Sequence, residues 1–233
     1  MSQPRLSQLS IWNNHEKRVI ESLILALILL QQKTSFVLSQ ANEEALNSEL
    51  YFCLIEANRL LHIQNKGFDH PPTAEGRNPP NAEDTPDSPR KKKIPDFYWG
   101  YIDHLEPDPR RSARNFYIEC KRLGKPLQKD KVLTTLYVQN GIRRFITEEH
   151  AYAKGESSSA MVGYVQNMIF DAILGEVNTA ARNNAEVVTL LNLIDDWQEQ
   201  GVSKLNHVLQ RPFPISPFCL HHFWVDLRSQ NED

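Results

Sequence analysis

The run Asn115-Phe116-Tyr117-Ile118-Glu119-Cys120-Lys121-Arg122-Leu123-Gly124 constrains this chain more than any other stretch. β-Forming residues that end at a glycine read as a strand, and a strand alternates its side chains between two faces. Phe116, Ile118 and Cys120 then share an apolar face that needs a helix packed on it. Tyr117, Glu119 and Lys121 share the other, which sets an acid and an amine about 7 Å apart along the chain. A second strand-like stretch, Ile94-Pro95-Asp96-Phe97-Tyr98-Trp99, lies some twenty residues upstream. Pro95 cannot donate to a ladder, so Asp96 is expected at a strand start or bulge, where a side chain can be re-aimed. As neighbouring strands, the two stretches bring Asp96, Glu119 and Lys121 to one point. Two converging carboxylates suit a hard cation such as Mg²⁺. An adjacent lysine can orient or deprotonate a water and offset phosphate charge, which is the equipment of metal-assisted phosphodiester hydrolysis.

Pro-Asp, a spacer, and Glu-x-Lys on a strand resembles the PD-(D/E)XK nuclease superfamily, which includes many restriction endonucleases and DNA-repair nucleases. The chain has three Pro-Asp pairs, at Pro86-Asp87, Pro95-Asp96 and Pro107-Asp108, and only the second is flanked by strand-like aromatic residues. The resemblance implies an α/β fold with a restriction-endonuclease-like mixed central sheet flanked by helices, here with extra N- and C-terminal helices. It implies catalytic roles for Asp96, Glu119 and Lys121, with Mg²⁺ (Mn²⁺ substituting) held by Asp96, Glu119 and the backbone carbonyl of Cys120. Lys121 would position the attacking water and stabilise the transition state. In that family an acid on the first helix commonly completes the site. Glu44, in Asn42-Glu43-Glu44-Ala45-Leu46, best matches it, with Glu49 as the alternative and simple complementation of the helix dipole as the plainer account. Arg122, Lys125, Arg143 and Arg144 are candidates for holding flanking phosphates.

The implied activity is a Mg²⁺-dependent DNA endonuclease of a bacterial restriction or anti-phage system. DNA is the implied partner, with a homodimer or a second defence protein as a further one. The alternative is a non-enzymatic subunit that binds DNA or a protein on the same fold. Charge distribution suits either. The 233 residues carry a net −3, yet residues 90–131 hold twelve Lys/Arg against six Asp/Glu, a surplus of six, which leaves −9 for the remainder. The surplus coincides with the two strands, as a phosphate-binding surface requires.

The length suits one substantial domain, 1–233, rather than two. Within it, 1–41 reads as a helical extension, 43–165 as the catalytic core and 166–233 as C-terminal helices with a last strand. Residues 70–93 form a Pro-rich flexible insertion: 70–90 holds many prolines and almost no apolar residues, so it builds no core and should be removable at little cost. Leu23 to Leu30 is apolar but too short for a membrane span and lacks a cleavage site, so it is a packed helix (15–36), with a dimer seam as the other reading. Asn42 caps a helix that runs to about Leu61 with one buried face. Further helices are expected over 129–140, ending at Gly141, over 166–182 and across most of 187–209. Strands are expected over 160–165 and 218–227, and 62–68 is the poor candidate for the strand that should precede Pro95. Three scattered cysteines without pairable spacing read as reduced, buried thiols of a cytoplasmic protein, and no zinc pattern is present.

Overall fold

The computed structural model describes residues 6–33, 38–80, 82, 84–85, 87–125, 132–187, 189–195 and 201–228. Its centre is a seven-stranded mixed sheet of order β1-β2-β3-β4-β7-β6-β5. In chain order the elements are α1 (Leu6–Gln31), α2 (Glu43–His62), β1 (Thr73–Ala74), β2 (Phe97–Ile102), α3 (Pro109–Ser112), β3 (Ala113–Leu123), α4 (Leu133–Gln139), β4 (Ser158–Val165), α5 (Phe170–Arg182), β5 (Asn192–Asp195), β6 (Val202–Leu209) and β7 (Phe218–Asp226).

The alternation expected of β3 decides the layering. Phe116, Ile118 and Cys120 join Ala160, Val162 and Tyr164 of β4 and Phe223 and Val225 of β7 under α1 and α2. Tyr117 and Leu123 join Met161, Val165, Leu220 and Trp224 on the opposite face, under α4 and α5. Both faces of β4 are covered, and all eight of its residues are buried. That is the normal condition of a strand held between parallel neighbours; β3 and β7 both run parallel to it.

Helix α1 starts earlier than expected and is a packed helix: Val19, Leu23, Ala26, Leu27 and Leu30 are buried against α2 and the sheet. Among the described residues, no helix is long and apolar enough to cross a membrane. Asn42 caps α2 as anticipated, its Oδ1 accepting from the Ala45 amide at 2.8 Å. Leu46, Leu50, Leu54 and Ala57 recur on the buried face. Each buried leucine contributes about 1.5–3 kcal/mol, so truncating Leu50 to alanine would loosen the helix from the sheet.

The structure corrects four expectations. Most of 187–209 is not helical; it supplies β5 and β6, which pair antiparallel at one side of the sheet. Among the described residues, the C-terminal part therefore holds one helix, α5, and three strands. Second, 62–68 is the frayed end of α2 and a turn, and the strand before Pro95 is the two-residue β1, which pairs antiparallel with β2 inside the Pro-rich segment. Third, α4 spans only Leu133–Gln139; the start of the expected 129–140 helix lies outside the described residues, up to Lys131. Gly141 does not adopt a left-handed cap (φ −118°).

The fourth correction concerns the Pro-rich segment, which buries little hydrocarbon but is stitched down by polar contacts. The buried Arg90 guanidinium donates to Asp84 Oδ2 (2.6 Å), Asn78 Oδ1 (2.8 Å), and the carbonyls of Pro79 (3.0 Å) and Ala151 (3.3 Å). Asn78 donates on to the His150 carbonyl at 3.0 Å and accepts from the Tyr117 hydroxyl at 3.2 Å. Removing the segment would strand the buried Tyr117 hydroxyl and Ala151 carbonyl that it pairs, at about 1–3 kcal/mol each, so it is not separable at little cost.

Candidate functional site

Strand β2 begins at Phe97, which pairs with Ile118 in the antiparallel β2–β3 ladder. One step beyond, Asp96 lies across from Glu119, where proline at position 95 ends the ladder. The Asp96 carboxylate takes over the ladder's role: Oδ2 accepts from the Cys120 amide at 2.6 Å. Its other oxygen accepts from Asn47 Nδ2 at 3.1 Å, and Asn47 Oδ1 accepts from the Tyr164 hydroxyl at 2.9 Å. A proline that stops pairing thus lets a carboxylate satisfy the freed amide, while α2 and β4 fix its rotamer.

The expected convergence is found. Lys121 Nζ lies 2.9 Å from Glu119 Oε1 and 3.9 Å from Asp96 Oδ2, and donates to the Cys120 carbonyl at 2.6 Å. A fourth oxygen comes from α2: Glu43 Oε1, 2.7 Å from the same ammonium. Arg144, in the 3₁₀ turn Ile142–Phe145, also pairs with Glu119 Oε1. Glu119 is fully buried, and its Oε2 has no hydrogen-bond partner among the described residues.

Three carboxylates therefore face two side-chain cations. Burial raises the Glu119 carboxyl to about 7; the neighbouring Asp96 charge adds to the rise, and Lys121 and Arg144 offset only part of it. Asp96 is raised too, first by burial, against the pull of Lys121 and the Cys120 amide. Burial opposes the Lys121 charge, but Glu119, Asp96 and Glu43 together outweigh it and keep the amine an ammonium.

Several candidate residues sit elsewhere than their sequence positions implied. Glu44 is exposed on the outer side of α2, one residue, or about 100° of helix, away from the inward Glu43. Glu49 pairs with Lys33. Alternation puts Arg122 on the Cys120 face, opposite Lys121. Lys125 is exposed just beyond β3, and Arg143 pairs with Glu186. Asn47 and Glu43 were not singled out from sequence, although their spacing of four places them on one helical face, a signal that becomes usable once Asp96 is known to lie under that face.

A hard cation fits this donor set. Asp96 Oδ2, Glu119 Oε1 and the Cys120 carbonyl are oxygens, the ligand type Mg²⁺ takes, and all three already surround one positive charge, the Lys121 ammonium. The orphaned Glu119 Oε2 adds a buried acceptor that calls for a cation. Among the described residues no three His, Cys, Asp or Glu side chains form a ready ligand cluster.

No protein-family model, curated protein or solved structure matches this chain.

Proposed function

We propose that this protein is a divalent-metal-dependent nuclease of restriction-endonuclease-like fold, acting on DNA. The observation that carries the reading is the meeting of Glu43, Asp96, Glu119 and the Cys120 carbonyl around Lys121 Nζ, on the strand pair where Pro-Asp and Glu-x-Lys fall. The β1-β2-β3 meander followed by a parallel β4, with α2 before it, is consistent with an αβββαβ core.

Asp96 and Glu119, with the Cys120 carbonyl, would hold the ion, with Glu43 contributing a further negative charge beside them. When bound, a hard divalent cation supplies polarisation of a phosphoryl oxygen and a water of lowered pKa. Asn47 and the Cys120 amide keep Asp96 aimed, so that the carboxylate does not have to reorganise during the reaction. Lys121, relieved of one carboxylate, would donate to the attacking water and to the phosphoryl oxygen on which charge develops.

A second reading has one observation in its favour: the acids are already paired with side-chain cations, which suits an ion-pair knot in a non-enzymatic DNA- or protein-binding subunit. Incubating purified protein with supercoiled plasmid, linear duplex, single-stranded DNA and RNA, with Mg²⁺, Mn²⁺ or EDTA, separates the two. The nuclease reading expects cleavage of DNA that EDTA stops. Salt-sensitive binding without cleavage in either metal would instead support the binding subunit.

A further inference from the structure

Arg144 stands in an unusual relation to the acidic cluster. Its Nη1 pairs with Glu119 Oε1, the oxygen that Lys121 also holds, while Nε and Nη2 make no hydrogen bond among the described residues. About a quarter of the side chain is exposed, whereas Glu119 is completely buried. The guanidinium therefore bridges from solvent to the innermost carboxylate with most of its fork unused. The guanidinium carbon lies over the Tyr152 ring, 6.0 Å from its centroid, and the backbone approach is made by Gly141, where a Cβ would lie 2.4 Å from the Tyr137 carbonyl and 3.4 Å from the Lys121 stem. The neighbouring Arg143 is occupied by Glu186.

Charge counting gives this contact a role. With Glu43, Asp96 and Glu119 ionised, the two side-chain cations leave the cluster one negative charge in excess. If a divalent cation enters and Arg144 withdraws, three negative charges meet Lys121 and two metal charges, and the sum is zero. Arg144 is then redundant to the acids, is partly open to solvent, and carries a planar fork shaped for two phosphate oxygens.

Resting on the nuclease reading above, we propose that Arg144 is a metal-released phosphate clamp. It caps Glu119 in the metal-free protein, leaves it when a divalent cation takes the carboxylates, and then holds a backbone phosphate of the substrate. The two binding events are coupled as a consequence, and each ligand strengthens the other by the same factor. Metal-free protein does not clamp nucleic acid at the site, and nucleic acid is held there only in a metal-loaded centre.

The test measures binding rather than turnover, with Ca²⁺ as the probe ion and a short DNA duplex as the probe ligand. Calorimetry gives Ca²⁺ affinity without DNA, and fluorescence anisotropy gives duplex affinity in Ca²⁺ and in EDTA at fixed ionic strength. Wild-type protein is expected to bind duplex about tenfold more tightly in Ca²⁺ than in EDTA, the scale of one charge-assisted contact. Arg144→Gln should lose that increment, to within about twofold, while binding Ca²⁺ at least as tightly as wild type because a competing cation is gone. If Arg144→Gln is not folded by circular dichroism, Arg144→Lys carries the same comparison; it keeps charge without the fork and should retain less than half of the increment.

An unchanged increment in a folded variant overturns the clamp and leaves the nuclease reading standing. So does weakened Ca²⁺ binding, which would make Arg144 a brace for Glu119. Wild-type protein that binds no divalent cation removes both.

Discussion

Burial of Glu119 under two cations has a measurable cost that grows with pH. Its carboxyl rises from an ordinary 4.5 to about 7 in the folded protein. Between those values the folded state binds more protons than the unfolded state, so stability falls as pH rises, fully present below 4.5 and lost through about 7. At 1.36 kcal/mol per pH decade the interval amounts to about 3 kcal/mol. Glu119→Gln preserves the shape and cannot ionise, so it escapes this loss. Urea unfolding of both proteins at pH 5 and pH 8, in EDTA, isolates the effect, because titrating groups outside the cluster cancel in the difference. The stability of Glu119→Gln relative to wild type should improve by about 2–3 kcal/mol between the two pH values. The same variant should lose divalent-cation affinity, since a neutral amide replaces an inner carboxylate. Parallel pH profiles for the two proteins would refute the reasoning, because Glu119 would then titrate alike folded and unfolded.

Glu43 and Glu44 separate by the same logic: Glu43→Gln should weaken Mg²⁺ binding and slow cleavage several-fold, and Glu44→Gln should change neither, which a paired calorimetric and plasmid assay reads directly. Asn47→Leu removes the partner of both Asp96 and the Tyr164 hydroxyl; it should cost about 1–3 kcal/mol in urea unfolding and slow cleavage by more than it weakens metal binding. Gly141→Ala would set a Cβ 2.4 Å from the Tyr137 carbonyl and 2.3 Å from the Met161 terminal methyl. It should lower stability by about 1–3 kcal/mol in a thermal melt, and an unchanged melting temperature would contradict the close approach.

The central strands were legible because their chemistry and their period agree. Apolar Phe116, Ile118 and Cys120 alternate with Tyr117, Glu119 and Lys121, so the burial of one face fixed the direction of the acid and the amine. Strand β6 was hidden by the opposite circumstance. Its buried face is Ser203, Leu205, His207 and Leu209, and its outer face includes Val202, Lys204, Asn206 and Val208. Two polar residues inside and two valines outside erase the apolar alternation, and helical spacing of the leucines took its place. Helix α2 was legible as an amphipathic element, but the rotation that turns Glu43 inward depends on where the sheet lies under it. Arg144 was legible only as a charge; that it reaches Glu119 follows from Gly141, whose missing side chain admits the turn.

The most direct test of the nuclease account sets wild-type protein beside Lys121→Ala, with plasmid cleavage and Mg²⁺ affinity measured on the same preparations. Lys121 Nζ now occupies the centre of the oxygen cluster, so its removal should leave Mg²⁺ binding as tight or tighter while cleavage falls by orders of magnitude. Cleavage by Lys121→Ala at the wild-type rate, or wild-type protein that binds DNA and cuts nothing in Mg²⁺ or Mn²⁺, would contradict it.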